Sequence, residues 1–460
     1  MTTRTRRKAQ VPSSVLAPAS SFTDGVRQML ETQPWWQTTL LVIGFLSLVT
    51  VLSVLFLGAN NAPTTVTTTA PVPPVQSDEF AAAMSRLVNV PIEKGGVVTV
   101  LNNGDEFLPA LLESINVARA SVNFSVYIWE DGAMSDQVMD ALIERQMQGV
   151  QVRILLDGLG DRKAPDDRMS ELKTAGGRVQ KFRAPRFGTW TRFHRRNHRR
   201  SIVIDGRVGF TGGMAVGDKW LGHAQDPDHW RDIMFKMTGP LASSLQAAFA
   251  DSWAASSGEI IVGDELYPRP GAAPVAGVER FIHLVNSPAD DDHAMAHFFV
   301  MSILAARQRV FVRTPYFIPD APLEQAMIDK AKAGVDVRLL VPGSRSDHAL
   351  VRRSGQNHYE ALMEAGVRVY EYEPTFTHAK FLTVDSAWSL VGSPNLNSRS
   401  RGLDEENAFG IVDGALGQQL DAVFLADVRH AEEITLDAWR RRNPAVRALQ
   451  LVSRILDQQS

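Results

Sequence analysis

Two short stretches of this sequence carry the same potential chemistry. One reads His198-Arg199-Arg200-Ser201-Ile202-Val203-Ile204-Asp205, the other His378-Ala379-Lys380-Phe381-Leu382-Thr383-Val384-Asp385. Each sets an imidazole two residues before a cation, runs into an apolar strand and turns after an Asp. A second apolar strand then ends in a pair of small residues, Gly212-Gly213 in one copy and Gly392-Ser393 in the other. In extended backbone, side chains two apart share a face, so each copy presents an imidazole and a cation side by side. The glycine-containing backbone beside them lets an anion approach. Two such half-sites facing each other make one site with two His and two cations. That set suits transfer of a phosphoryl or phosphodiester group. One imidazole attacks phosphorus, the other protonates the leaving oxygen, and the cations hold the nonbridging oxygens. The basic neighbours would repel a divalent cation, so neither a metal nor a cofactor is expected.

The elements that must position these residues repeat as well. Gly149-Val150-Gln151-Val152-Arg153-Ile154-Leu155-Leu156 returns as Gly334-Val335-Asp336-Val337-Arg338-Leu339-Leu340-Val341. In both places an amphipathic helical pattern precedes the Gly, which suits a helix C-terminus, and a buried-strand pattern follows it. Upstream, Ser121–Tyr127 matches Gln308–Thr314. Strands alternating with helices predict an α/β sandwich in each half.

Composition narrows the class. With 48 Lys+Arg against 51 Asp+Glu the net charge is -3, so the chain lacks the overall basicity of a general nucleic-acid binder, and no nucleic-acid partner is expected. Zero Cys excludes thiolate catalysis, disulfides and Cys-ligated metal sites. Residues 38–59 hold no charge and are long enough for a bilayer-spanning helix. Arg4, Arg6, Arg7, Lys8 and Arg27 precede this stretch and the first basic residue after it is Arg86, which predicts a cytoplasmic N-terminus and an extracytoplasmic remainder in the cell membrane. The Thr- and Pro-rich stretch that follows reads as a spacer. Residues 181–200 combine eight basic residues with Phe182, Phe187, Trp190 and Phe193, a pattern that serves either an anionic-lipid contact or a solvated loop. His194 is given no role. Beyond residue 430, Trp439 and the apolar positions Val446, Leu449, Leu451, Val452, Ile455 and Leu456 predict an amphipathic helix.

The duplicated His-x-Lys/Arg-x4-Asp stretch followed by Gly-Ser-x-Asn resembles the phospholipase D superfamily, and within it the bacterial cardiolipin synthases. Asn103–Phe107, Thr314–Asp320, His229–Asp232 and Gly392–Ser400 extend the resemblance. The implied fold is α/β: two duplicated phospholipase D-like sandwich halves (94–272 and 273–430) packed face to face. An N-terminal segment (1–37), a transmembrane helix (38–59) and a linker (60–93) precede them, and a helical segment (431–460) follows. The resemblance implies ping-pong transfer through a phosphohistidine, with His198 as nucleophile and His378 as acid and then base. Arg200 and Lys380 would hold phosphate oxygens, and Gly213, Ser393 and Asn395 would add contacts to substrate. Asp205 and Asp385 belong to the motif and are expected to brace it, while Asp218 and Glu406 are expected to orient the imidazoles. The first copy departs twice from the pattern, with Arg200 in place of Lys and Ala215 in place of Asn. The substrates implied are anionic phospholipids of the bilayer, phosphatidylglycerol and cardiolipin. Transfer between two phosphatidylglycerol molecules, hydrolysis to phosphatidic acid and lipid binding without turnover all remain compatible with these residues. A metal-independent nuclease of the same superfamily fits less well, because those tend to be short single-motif dimers.

Overall fold

The computed structural model describes residues 35–57, 66–161, 163–183, 195–267, 276–287, 293–397, 399–400 and 403–442. The chain divides into two compact units between residues 62 and 63. In the first, Trp35–Leu57 form a 23-residue helix without charge whose described side chains are largely exposed, Phe45 among them. Among the described residues no helix is long and apolar enough to cross a membrane. The expected span falls partly outside that set, which lacks the side chains of 50–57 and all of 58–65. The five basic residues of the orientation argument also lie outside it.

The second unit contains two large sheets of the same topology. The first joins β1 (Val98–Asn102), β2 (Ser121–Val126), β3 (Gln151–Asp157), β4 (Arg178–Phe182), β5 (Ser201–Ile204), β6 (Val208–Gly212) and β7 (Ile233–Thr238) in the order β1-β7-β6-β5-β2-β3-β4. The second half opens with β8 (Arg280–Asn286), β9 (Arg309–Arg313) and a short β10 (Phe317–Ile318). It continues with β11 (Asp336–Pro342), β12 (Arg368–Tyr372), β13 (Phe381–Val384) and β14 (Trp388–Gly392). Last come β15 (Leu396–Asn397), β16 (Glu406–Val412) and β17 (Ala431–Ile434). Its sheet runs β8-β16-β14-β13-β9-β11-β12-β17, which repeats the first order strand for strand and adds β17 at the edge. β10 and β15 pair separately.

The expected duplication therefore holds in three dimensions. β2, β3 and β5 correspond to β9, β11 and β13, and the register agrees: Val122 faces Ile204 where Val310 faces Val384. Parallel β2 and β3 are joined through the helix Ala133–Met147, and parallel β9 and β11 through Ala321–Lys332. Gly149 and Gly334 follow these helices at φ of +90° and +88°, a backbone that glycine adopts without the Cβ penalty.

Strand alternation sorts the apolar residues between outer cores and a shared inner one. Ile202 and Ile204 of β5 enter the first half's outer core, while Leu382 and Val384 of β13 enter that of the second. The intervening positions turn the other way. Val203, Phe235, Phe381 and Phe409 meet Leu245 of the helix Pro240–Ser257 and Phe424 of the helix Gly414–Val428 in a core shared by both halves. Strands buried on both faces explain why the motif reads as a continuous apolar run rather than an alternating one.

Two boundaries differ from expectation. Residues Asp78–Leu87, assigned to the linker, form a helix capped by Ser77 whose Phe80 and Met84 enter the second half's core, with Phe80 edge-on to Trp388. The start of the C-terminal segment is strand β17 rather than helix. A helix follows at Leu436–Arg440, where Trp439 is buried against Tyr359. The apolar positions 446–456 and most of the basic-aromatic loop, 184–194, lie outside the described residues.

Candidate active site

Each motif histidine sits just ahead of a central strand, on backbone that pairs with the opposite half. The His198 amide donates to Glu405 O at 3.0 Å, and the Glu405 amide donates to Arg196 O. Likewise the His378 amide donates to Arg231 O at 2.8 Å, and the Arg231 amide donates to Phe376 O. These reciprocal bonds bring both imidazoles to one cavity of about 300 Å³, which Arg200, Tyr127, Tyr316 and Asn395 also line.

The same pairing exchanges carboxylates between halves. Glu406, from the second half, lies 2.9 Å from His198 Nδ1; Asp232, from the first, lies 2.8 Å from His378 Nδ1. Engaging Nδ1 fixes each ring and turns Nε2 toward the chemistry, with Lys380 Nζ 3.1 Å from Nε2 of His378. Each carboxylate has its own support: the Ser393 hydroxyl donates to Glu406, and the Trp220 indole donates to Asp232 at 2.9 Å.

Asp218 does not orient an imidazole. Its carboxylate accepts from the Ala133 and Met134 amides and caps the helix that begins there, a use of the free N–H groups of a first turn. The counterpart of Glu406 is Asp232, since both stand two residues before strand positions (Ala408 and Met234) that pair with the corresponding glycines, Gly392 and Gly212. The first-half loop is six residues longer, which displaces Asp232 along the sequence.

Asp205 and Asp385 are braces, and neither reaches the cavity. Asp205 accepts from the amides of Arg119, Ala120 and Ser121, and Asp385 from those of Arg307, Gln308 and Arg309. Both occupy left-handed backbone, φ +52° and +53°, so each Asp turns the hairpin and ties it to the start of the neighbouring strand.

The small pair also serves the carboxylates more than the substrate. Ser393 spends its hydroxyl on Glu406. A Cβ at Gly213 would come within 2.0 Å of Asp232 Oδ1, so glycine there is what admits the shorter carboxylate. Restoring the family pattern with Gly213→Ser is therefore expected to displace Asp232 and cost at least about tenfold in turnover, as loss of a charged hydrogen bond would. Steady-state kinetics, with circular dichroism as a check on folding, test this outcome.

The cations are fully buried. Arg200 Nη1 donates to the carbonyl of its own His198 at 2.7 Å, and Lys380 Nζ does the same to His378 at 2.8 Å. Arg200 Nε and Nη2 are buried without a protein partner, as is Asn395 Oδ1. Ala215, at the position matching Asn395, packs in the apolar core, so the cavity receives this amide from one half only. Arg196 and Arg199, at the end of the basic stretch, are structural. Arg196 pairs with buried Asp157 at 3.3 Å, and Arg199 donates to Ala248 O, Ser252 and Asn286 O.

Burial and the neighbouring cations hold both imidazoles below their usual range, His378 at about 3. Burial brings the Lys380 ammonium down to about 7 and pushes Glu406 up to about 7. Asp232 departs the other way: His378 and Lys380 outweigh its burial and hold it below the usual carboxylate range. Tyr127 packs on His198 with ring centroids 5.1 Å apart, and Trp230 on His378 at 5.6 Å. Sequence reasoning missed these aromatic walls because nothing in the motif spacing marks them.

A duplicated α/β unit that brings two imidazoles and Arg200 to one cavity, with Lys380 against the His378 ring, is a phosphodiester-handling architecture. The family model described as cardiolipin synthase, PLD-like domain matches residues 111–253 and 300–428. A cardiolipin synthase A of Pseudomonas fluorescens is 35% identical over 382 residues, 81% of this chain and 78% of the relative. A cardiolipin synthase 1 of Bacillus cereus is 32% identical over 78% of this chain and 71% of the relative. The crystal structure of phosphatidylserine synthase from Haemophilus influenzae shares the fold, with a TM-score of 0.63 at 16% identity, covering 82% of this chain and 98% of that one. The chain belongs to the cardiolipin synthase family of phospholipase D-like proteins, and it is a phospholipase D-type phosphatidyltransferase.

Proposed function

We propose that the protein transfers a phosphatidyl group from one phosphatidylglycerol to another, giving cardiolipin and glycerol. The observation that carries this reading is the pair of imidazoles in one cavity, each held through Nδ1 by a carboxylate of the other half. His198 Nε2 attacks phosphorus; the bond to the glycerol oxygen breaks, and that oxygen takes the proton of His378 Nε2. His378 then removes the proton of an incoming hydroxyl, which attacks phosphorus and expels His198. Carboxylates with opposite tendencies support this division of labour. Asp232, held ionised, favours a cationic His378, as an acid requires; Glu406, pushed toward neutrality, gives His198 less reason to hold a second proton. Burial first, and then the cations, depress both rings; the arriving phosphodiester anion offsets the cations, and the free donors of Arg200 grip its nonbridging oxygens.

We infer a membrane anchor from the uncharged stretch 38–59, and an extracytoplasmic catalytic unit from the basic residues that precede it. An anchored enzyme meets two bilayer lipids at high effective concentration, which favours a lipid alcohol over water in the second step. Incubating the full-length protein with phosphatidylglycerol vesicles and identifying the products by mass spectrometry tests the reading. Cardiolipin plus glycerol is the expected result; phosphatidic acid plus glycerol, or no turnover, would overturn it.

Arg200→Lys is expected to retain at least about a tenth of the activity, because an ammonium already occupies the equivalent place at Lys380. Arg200→Ala is expected to lose roughly a hundredfold or more, the scale of removing one transition-state donor. The ratio of kcat/KM values checks both.

A further inference from the structure

On the transfer reading above, the oxygen that leaves phosphorus stands opposite His198, on the His378 side. The glycerol released in the first step and the hydroxyl that arrives in the second pass through that same position, since His378 handles the proton of each. The cavity wall beside His378 thus meets a polyol twice in every turnover.

That wall holds one of two carboxylates that line the cavity; the other, Asp404, is paired with Arg399 at 3.0 Å. The Tyr316 ring lies 6.3 Å from that of His378, and its hydroxyl donates to Asp347 Oδ2 at 2.7 Å. Asp347 lines the cavity with its side chain 25% exposed, and its contact with His348, at 3.7 Å, falls on the same Oδ2. Oδ1 keeps its capacity to accept. A carboxylate is a poor neighbour for a phosphodiester and a strong acceptor for hydroxyls. An ammonium headgroup is disfavoured in this space, because Arg200 lines the same cavity and Lys380 lies against the His378 ring. The Trp230 ring already carries one cation, Lys219 Nζ at 4.4 Å.

We propose that Asp347, held by Tyr316, selects the headgroup: it accepts hydrogen bonds from glycerol hydroxyls in both half-reactions and favours polyols over monohydroxy alcohols. In the second half-reaction the alcohol proton passes to His378 Nε2, the new O–P bond forms, and the bond from phosphorus to His198 Nε2 breaks.

The test uses the full-length protein in phosphatidylglycerol vesicles with equal concentrations of deuterated glycerol and 1-propanol. Mass spectrometry reads labelled phosphatidylglycerol against phosphatidylpropanol. The wild type is expected to favour glycerol. Asp347→Ala should lower that ratio by about tenfold or more, the scale of a hydrogen bond to a charged group. Tyr316→Phe should lower it less, in the same direction. A residue that only shaped the loop would slow both products equally, so an unchanged ratio in Asp347→Ala overturns the proposal. Should that variant fail to fold by circular dichroism, Tyr316→Phe decides on the same ratio. With ethanolamine in place of 1-propanol in the same competition, a wild-type preference for ethanolamine over glycerol would also overturn it. Failure of the wild type to transfer phosphatidyl groups to any alcohol would instead sink the functional reading on which the proposal rests.

Discussion

His198→Ala is expected to abolish turnover on every phosphodiester, whereas His378→Ala is expected to fail selectively. An acid is needed in proportion to the basicity of the oxygen that leaves. Glycerol is a poor leaving group, so without the His378 proton the first step should slow by roughly a hundred- to ten-thousand-fold. A phosphatidyl ester of p-nitrophenol leaves as a stable anion and needs little help. On that substrate His378→Ala should still release a burst of nitrophenol and then stall, because no base remains to activate the incoming alcohol. His198→Ala should give no burst with either substrate. Equal losses on both substrates in both variants would remove the division of roles. A nitrophenol burst from His198→Ala would place the nucleophile elsewhere. Both side chains are buried at the cavity and neither supports the core, so the melting temperature should move little in either variant.

Much of this site was legible before any coordinates, and the reason is physical. A strand buried on both faces is mostly apolar, so a His and a cation two apart at its entrance stand out, and duplication makes the coincidence stand out twice. The register of β5 against β2 and of β13 against β9 follows from matching apolar runs. What the spacing does not encode is which carboxylate meets which imidazole. Asp218 and Asp232 lie on the same connection, and only the bridge between Arg231 and Thr377 brings the second one to His378. Loop length hides that partner because the pairing runs between halves rather than along the chain. Asp78–Leu87 looks like spacer in the sequence for a related reason: its Phe80 and Met84 find their partners two to three hundred residues away.

Glu406→Gln and Asp232→Asn are expected to be as damaging as loss of a catalytic ring while leaving its geometry nearly intact. The amide is isosteric with the carboxylate and still fills the space beside Ser393 or Trp220. It presents an N–H to the imidazole as readily as an oxygen, so the ring no longer has one imposed tautomer. In a Ser-His-Asp triad the same exchange costs about ten-thousand-fold in kcat, and a loss of roughly a hundred- to ten-thousand-fold is expected here. The two variants should differ in kind. Asp232→Asn removes the anion that stabilises a cationic His378, so its loss should shrink on the p-nitrophenyl ester, as for His378→Ala. Glu406→Gln acts on the nucleophile, and its loss should persist on that substrate. Asp232→Asn also leaves Arg200 and Lys380 facing one fewer buried anion, whereas Glu406 is already pushed toward neutrality by burial. Removing one partner from such a cluster costs about 3–5 kcal/mol of stability, and denaturant titration measures it. If either amide variant keeps near-normal turnover on phosphatidylglycerol, the exchange of carboxylates between halves is packing rather than catalysis.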